Sequence, residues 1–143
     1  MVEDNVTRDY GTDAIAIEWR AHRCIHSAVC LQGLPEVFDV NRRPWILPEN
    51  ADADAIAQVV AQCPSGALHF RRLDGGAQEA PDAEPTLLTL PDGPLLVRGD
   101  IDVVDGDGNV FRHDTRLALC RCGASENKPF CDNSHRRIGF RAP

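Results

Sequence analysis

Residues 120–135 read CRCGASENKPFCDNSH, and the spacing of the sulfur and nitrogen donors in this stretch decides how the rest of the chain is read. Cys120, Cys122, Cys131 and His135 form the pattern C-x-C-x8-C-x3-H. Thiolates and an imidazole together suit a soft metal or an inorganic cluster. The tight C-x-C pair suits two sulfurs on one iron, while Cys131 and His135 can reach a second iron from one helical turn. Such a [2Fe–2S] site would fall between all-cysteine ferredoxins and Rieske centres, which use two histidines. A Cys3His set also serves structural zinc, although zinc ribbons and fingers usually open with a gap of about two to four residues. The spacing favours the cluster and leaves zinc as the alternative.

Three further cysteines lie upstream, at Cys24, Cys30 and Cys63. A ferredoxin run has C-x2-C-x2-C with a remote Cys-Pro. Here Ser27 occupies the middle cysteine position, which leaves C-x5-C and a distant Cys63-Pro64. Three thiolates hold a [3Fe–4S] cluster outright, or a [4Fe–4S] cluster with Ser27, His26, water or a small ligand at the fourth iron. The bland alternatives are an empty site and buried structural thiols. His26 alone reads as a loop histidine, and His22, His69 and His113 carry no pattern.

The chain has 143 residues and a net charge of −7, from 22 acidic and 15 basic residues. That balance argues against nucleic acid and against an anionic membrane surface as the main partner. Lys128 is the only lysine, so no polybasic tract exists. No apolar run approaches the roughly 20 residues needed to span a bilayer. The acidic start Met1-Val2-Glu3-Asp4-Asn5 lacks the pattern of an export signal, and a cytoplasmic protein is expected. Reduced thiols in that compartment more often bind metal than pair as disulfides.

Composition divides the chain. Residues 73–86 are rich in glycine, proline and acids and read as a linker, with Glu79, Asp82 and Glu84 solvated. It separates residues 1–72 from residues 87–143, and each unit is small enough that a bound metal would supply missing stability. In the first, Ile15 and Ile17 mark one strand, and residues 67–72 resemble another. Ala53, Ile56, Ala57 and Val60 form a helical stripe, which Pro64 should end just after Cys63. In the second, Leu95 with Val97, Ile101 with Val103, and Leu117 with Leu119 alternate as strands around a turn at residues 105–108. The fold class expected is α+β, with a β-rich second unit.

The C-terminal stretch resembles the CDGSH iron–sulfur domain of the NEET family. Cys120, Cys122, Ser125, Pro129, Cys131, Asp132, Ser134 and His135 fall on that pattern. Asn133 stands where the name-giving glycine belongs, and asparagine tolerates the positive φ such a turn needs. The resemblance covers about 45 residues, from Gly93 to Phe140. It implies a redox-active [2Fe–2S] cluster on Cys120, Cys122, Cys131 and His135, and a homodimer built through swapped strands. Arg121 and Lys128 stand nearby, either to tune the cluster or as solvated charges. Residues 13–72 resemble the divergent single-cluster ferredoxins of bacteria, which implies a small ferredoxin-like unit with its second cluster on Cys24, Cys30 and Cys63.

These readings imply a non-enzymatic one-electron carrier whose partner is a reductase or oxidase with a basic docking patch. The alternative is a donor or redox/pH sensor that releases its [2Fe–2S] cluster to an apo-acceptor, and a second alternative is a structural zinc protein. Residues 105–109 faintly suggest a calcium loop, but Val110 and Arg116 stand where an EF-hand needs glycine and glutamate. No phosphate-binding glycine loop is present, and no catalytic triad is suggested.

Overall fold

The apolar alternation at Ile15 and Ile17 builds the centre of a small antiparallel sheet, in the order β1-β2-β3. Its strands are β1 Thr7–Gly11, β2 Ile15–Arg20 and β3 Leu68–Arg72. The structure is a computed structural model that describes residues 7–143. The expected lack of an export signal rests on Met1 to Asn5, which lie outside the described residues. β1 has no apolar alternation to betray it; its backbone pairs with β2 from Thr7 opposite Arg20 to Gly11 opposite Ala16.

Between β2 and β3 come the short helix α1 Val29–Gly33 and the helix α2 Ala53–Val60. The Asp52 carboxylate caps α2 by accepting from the Ala55 N–H at 2.8 Å. Ile56, Val59 and Val60 then pack onto Ile15, Ile17, Phe38, Ile46 and Leu68. Burying each large apolar side chain is worth about 1.5–3 kcal/mol. The helix stops at Val60, earlier than Pro64 alone would require, because the Cys63 N–H turns back to the Val60 carbonyl at 3.0 Å. Cys63 therefore sits in a turn beyond the helix.

The second half forms a separate antiparallel sheet, β4-β5-β6, from β4 Thr86–Thr89, β5 Leu95–Val104 and β6 Val110–Leu119. The alternations at 95–97 and 101–103 belong to one strand, broken by a register shift where Gly99 adopts φ 144°. Asp105 makes the hairpin turn, its carboxylate accepting from the Asp107 and Asn109 N–H groups at 2.9 and 3.0 Å. A last short helix, α3, spans Ser134–Arg137. Two small antiparallel sheets with a few helices make the protein α+β, as the sequence predicts.

Residues 73–85 contain no helix or strand, but they are not all solvated. Glu79 is largely buried and pairs with Arg116 and His69, which corrects the reading of that acid as a surface group. Asp82, half-exposed, pairs with Arg98 at 2.8 Å.

The two halves are locked by an exchange of buried arginines. Arg23, 1% exposed, comes from the first half and donates to Asp114 of β6 at 2.8 Å. It also donates to the carbonyls of Ser65 and Arg116, and its guanidinium stacks over Phe130. Arg116, 2% exposed, reaches back from β6 to the carbonyls of Val60, Cys63 and Leu68 at 2.7–2.9 Å. The Val60 carbonyl is a helix-end acceptor with no partner inside its own helix, so a cation meets both its lone pair and the helix dipole.

His69 completes this network between Glu79, at 2.6 Å from Nδ1, and Asp114, at 2.9 Å from Nε2. The second contact is charge attraction, because Nε2 forms no aligned hydrogen bond. Burial lowers the His69 pKa, but Asp114 and Glu79 outweigh it and hold it above the usual histidine value. Burial raises that of Asp114, but His69 and Arg23 hold it far below the carboxylate range. The raised histidine stabilises the fold below its unfolded pKa and loses that contribution as pH rises through the folded one. The depressed aspartate contributes above its unfolded pKa and loses that contribution in acid.

Stability in urea is therefore expected to peak between those limits. Asp114→Ala, which strands Arg23, should cost about 3–5 kcal/mol, measured as the shift in urea midpoint times the slope. Gly66→Ala should also destabilise: Gly66 has φ 70°, and a Cβ there would run into the Arg116 carbonyl and sit 2.7 Å from the Arg23 guanidinium. An unshifted melting temperature in Gly66→Ala would show that the interface can yield at this point.

Candidate metal centres

The C-terminal donors are brought together by two backbone segments lying side by side. The Cys120 N–H donates to the Pro129 carbonyl and the Cys131 N–H to the Ala118 carbonyl, both at 2.8 Å. Two left-handed residues then curl the loops so that amides face sulfur. Gly123, φ 81°, donates its N–H to Cys120 Sγ at 3.3 Å, and Ala124 donates to Cys122 Sγ at 3.4 Å. Asn133, φ 73°, donates its N–H to Cys131 Sγ at 3.4 Å. The positive φ expected at this departure from the glycine is what the chain adopts.

The donors fall into two pairs. Cys120 and Cys122 sulfurs lie 3.8 Å apart, and Cys131 Sγ lies 3.4 Å from His135 Nδ1. Bonds of about 2.3 Å to sulfur and 2.1 Å to nitrogen give tetrahedral edges of about 3.8 and 3.6 Å. Each pair is thus spaced to share one metal atom. Among the described residues no three histidine, cysteine or acidic donors converge as a single ion requires. Cys131 precedes α3, so it meets His135 across the Asn133 turn and not from the helical turn that the spacing suggested.

The remaining motif residues hold this loop closed. Ser125 Oγ donates to the Phe130 carbonyl at 2.6 Å and accepts from the Asn127 N–H at 3.0 Å. The Asp132 carboxylate accepts from the Glu126 and Ser134 N–H groups at 2.9 and 3.0 Å. Arg121 is committed to the Gly93 and Leu90 carbonyls, and Lys128 to the Ser125 carbonyl. Both are therefore structural ties, and neither bonds to a candidate donor.

Burial raises the Cys120 pKa, but the Ser125 and Gly123 amides, with the Cys122 side chain, outweigh it and hold the thiol below its usual value. Burial pushes Cys131 up to about 11. Burial, then the Arg136 charge, hold His135 below the usual histidine value, in the neutral form that can donate to a metal.

The three N-terminal cysteines come from three separate segments, near enough for the Cys24 and Cys63 charges to act on Cys30, but they do not close into one three-donor group. Cys24 follows a tight turn at Ala21–Arg23, Cys30 lies in the first turn of α1, and Cys63 lies beyond α2. The loop between the first two places His26 at φ 57° and Ala28 at φ 64°, strained conformations costing about 1–3 kcal/mol each. That strain turns the His26 N–H onto Cys24 Sγ at 3.4 Å. Burial and then the other thiols push the Cys30 pKa up to about 11, with Cys63 ahead of Cys24. Burial likewise raises that of Cys24, with Cys63 adding to the rise. A cavity of about 290 Å³ opens at Cys24 and Cys30, walled by Leu31 and by Trp19 and Trp45, which meet edge-on at 4.8 Å. Ser27 Oγ accepts from the Val29 N–H, whereas His26 Nδ1 lies 4.0 Å from Cys24 Sγ.

Two contacts that the donor pattern did not foretell join the sites. Asn133 Nδ2 donates to the Cys24 carbonyl at 3.0 Å, and Arg136 donates to the Ile25 carbonyl at 3.3 Å. Ile25 is buried against Ala118 and Cys131. The signal for the first was present in the sequence: an amide side chain where the resembling family has none.

Comparison with known families agrees with both halves. A family described as "Divergent 4Fe-4S mono-cluster" matches residues 10–73, and one described as "Iron-binding zinc finger CDGSH type" matches residues 92–136. The chain is similar to the uncharacterized protein YjdI of Escherichia coli strain K12, with 35% identity over 68 residues, 48% of this chain and 90% of YjdI. YjdI of strain O157:H7 matches to the same extent. Iron–sulfur cluster binding is thereby supported for both halves.

In metal-free protein, iodoacetamide at neutral pH is expected to alkylate Cys120 well before Cys131 and Cys30, because the thiolate is the reactive form. Peptide mass spectrometry over time reads the order. Equal rates at the three would mean that the amides around Cys120 do not stabilise its thiolate.

Proposed function

The chain belongs to the divergent 4Fe–4S mono-cluster family and carries a CDGSH iron-binding domain behind that region, and from this we propose a two-cluster, one-electron carrier. Cys120 and Cys122 would hold one iron of a [2Fe–2S] cluster, and Cys131 with His135 the other. The observation that carries this reading is that the four donors fall into two pairs, at 3.8 and 3.4 Å, while among the described residues no three donors converge as one zinc ion would require. Cys24, Cys30 and Cys63 would hold a [3Fe–4S] cluster, or a [4Fe–4S] cluster whose fourth iron is met by His26 or water. Ser27 is a poorer candidate because its hydroxyl already accepts a backbone N–H.

Bound clusters supply reversible uptake and loss of single electrons. The chain's own residues set the conditions for that exchange. Amides of Gly123, Ala124, Asn133 and His26 aim at sulfur and stabilise negative charge there. With all six thiols assigned as ligands, none is left as a nucleophile, and no enzymatic step is proposed. Among the described residues no helix is long and apolar enough to cross a membrane. A cytoplasmic setting suits the free thiols. The net charge of −7 would steer the carrier to a basic patch on a reductase or oxidase, in a complex that weakens with salt. β4 exposes Leu87 and Leu88, 70% and 59% exposed, which the homodimer implied by the CDGSH resemblance would cover.

Release of the C-terminal cluster is a second reading favoured by one observation: His135 lines a cleft of about 360 Å³ beside Arg136 and Phe140. Protonation of His135, 7% exposed at the edge of this cleft, would let its iron go, which suits a cluster donor or pH sensor. Transfer from oxidised protein to an apo-ferredoxin would support this reading, and His135→Cys should then slow the transfer and lower the reduction potential.

Anaerobic purification with iron, sulfide and EPR analysis tests the main reading. About five to six irons per chain are expected. About two irons would remove the N-terminal cluster, and zinc without sulfide would overturn the proposal.

A further inference from the structure

Asn133 touches both candidate centres at once. Its backbone N–H donates to Cys131 Sγ at 3.4 Å, while its side-chain Nδ2 donates to the Cys24 carbonyl at 3.0 Å. Only Nδ2 can donate to a carbonyl, which fixes the amide's orientation. Its Oδ1 is buried and has no protein partner among the described residues, so the side chain is held by this single contact across the interface. A buried carbonyl acceptor without a partner is costly, yet the amide is kept in this place. The left-handed backbone at φ 73° is a conformation that glycine would adopt with less strain. The residue therefore gives up backbone ease at a ligand turn for a hydrogen bond to the other ligand loop.

Resting on the two-cluster reading, the geometry points to Asn133 as the coupling residue between the centres. It links the ligand Cys24 to the ligand Cys131 through one residue and two hydrogen bonds, with Ile25 packed beside it to exclude water. The proposal is that electrons pass within the chain along this contact. In each transfer the N-terminal cluster loses one electron and the C-terminal cluster gains one; no bond is made or broken and no proton moves. A low-potential one-electron donor supplies the electron. The histidine ligand raises the potential of the C-terminal cluster, so transfer runs toward it.

The test uses the anaerobically loaded full chain, photoreduced with substoichiometric deazaflavin and dithionite-matched controls. Electron equilibration between the clusters is followed by absorbance and freeze-quench EPR. Asn133→Gly keeps the turn and the amide at Cys131 but removes the side-chain bridge. It should retain iron, sulfide and both midpoint potentials while slowing transfer by about tenfold or more, the scale on which outer-shell partners act. Asn133→Asp, of the same size but without the donor, should slow it similarly and stands in if the glycine variant does not load. Arg136→Ala removes the neighbouring tie to the Ile25 carbonyl without touching the bridge, and should slow transfer far less. An unchanged rate in loaded Asn133→Gly overturns the coupling role, and so does an equal loss in Arg136→Ala, which would make Asn133 a docking contact only. A wild-type iron count of about two is read before any rate, and it overturns the two-cluster reading itself together with the bridge.

Discussion

The buried exchange of Arg23 and Arg116 across the two halves is the constraint on which the rest depends. Each arginine leaves its own half and bonds in the other, Arg23 to Asp114 and Arg116 to the carbonyls of Val60, Cys63 and Leu68, although Arg23 Nε stays buried without a partner among the described residues. Taking such charges out of water is expensive, and a well-packed apolar interface of equal size would often be as stable. Apolar packing, however, tolerates sliding. A guanidinium with its donors placed on named carbonyls does not, because a small slip would leave a buried donor unpaired.

That rigidity falls on the candidate ligand loops. Arg23 immediately precedes Cys24, and Arg116 holds the carbonyl of Cys63 itself. The N-terminal site is therefore positioned in part by the C-terminal sheet. The cost is visible at His26 and Ala28, both left-handed without being glycine. The interface and the sites are one piece of construction. Anything that loosens the arginine exchange loosens the placement of Cys24 and Cys63.

The sequence carried the short-range part of this. The alternation at Ile15 and Ile17, the stripe of α2 and the turn at Asp105 are local patterns whose physics involves a few neighbouring residues. The four C-terminal donors were legible for the same reason, since they lie within sixteen positions and their turn needs one tolerant residue at Asn133. The strand β1 was not, because its sequence TRDYG is fixed by backbone pairing and carries no apolar signature. The buried role of Glu79 was hidden too. An acid in a glycine- and proline-rich stretch reads as solvated unless the reader knows that Arg116 and His69 come to meet it. Arg121 and Lys128 could be read from sequence either as tuning groups or as solvated charges, and neither reading foresaw that both bond to loop carbonyls.

The interface also gives the C-terminal centre two unlike ends. Cys131 is 3% exposed and His135 7%, with Cys131 packed against Ile25, whereas Cys120 borders an open groove with Leu95, Leu119 and Pro129. In a two-cluster carrier those ends would have different tasks. The iron held by Cys131 and His135 would face the companion cluster, and the iron held by Cys120 and Cys122 would face the outside. An external partner would then meet the groove, whose charged lining residues are Arg121 and Lys128, rather than the interface. The asymmetric burial thus assigns an inner and an outer side to a site whose four ligands, read as a pattern alone, have neither.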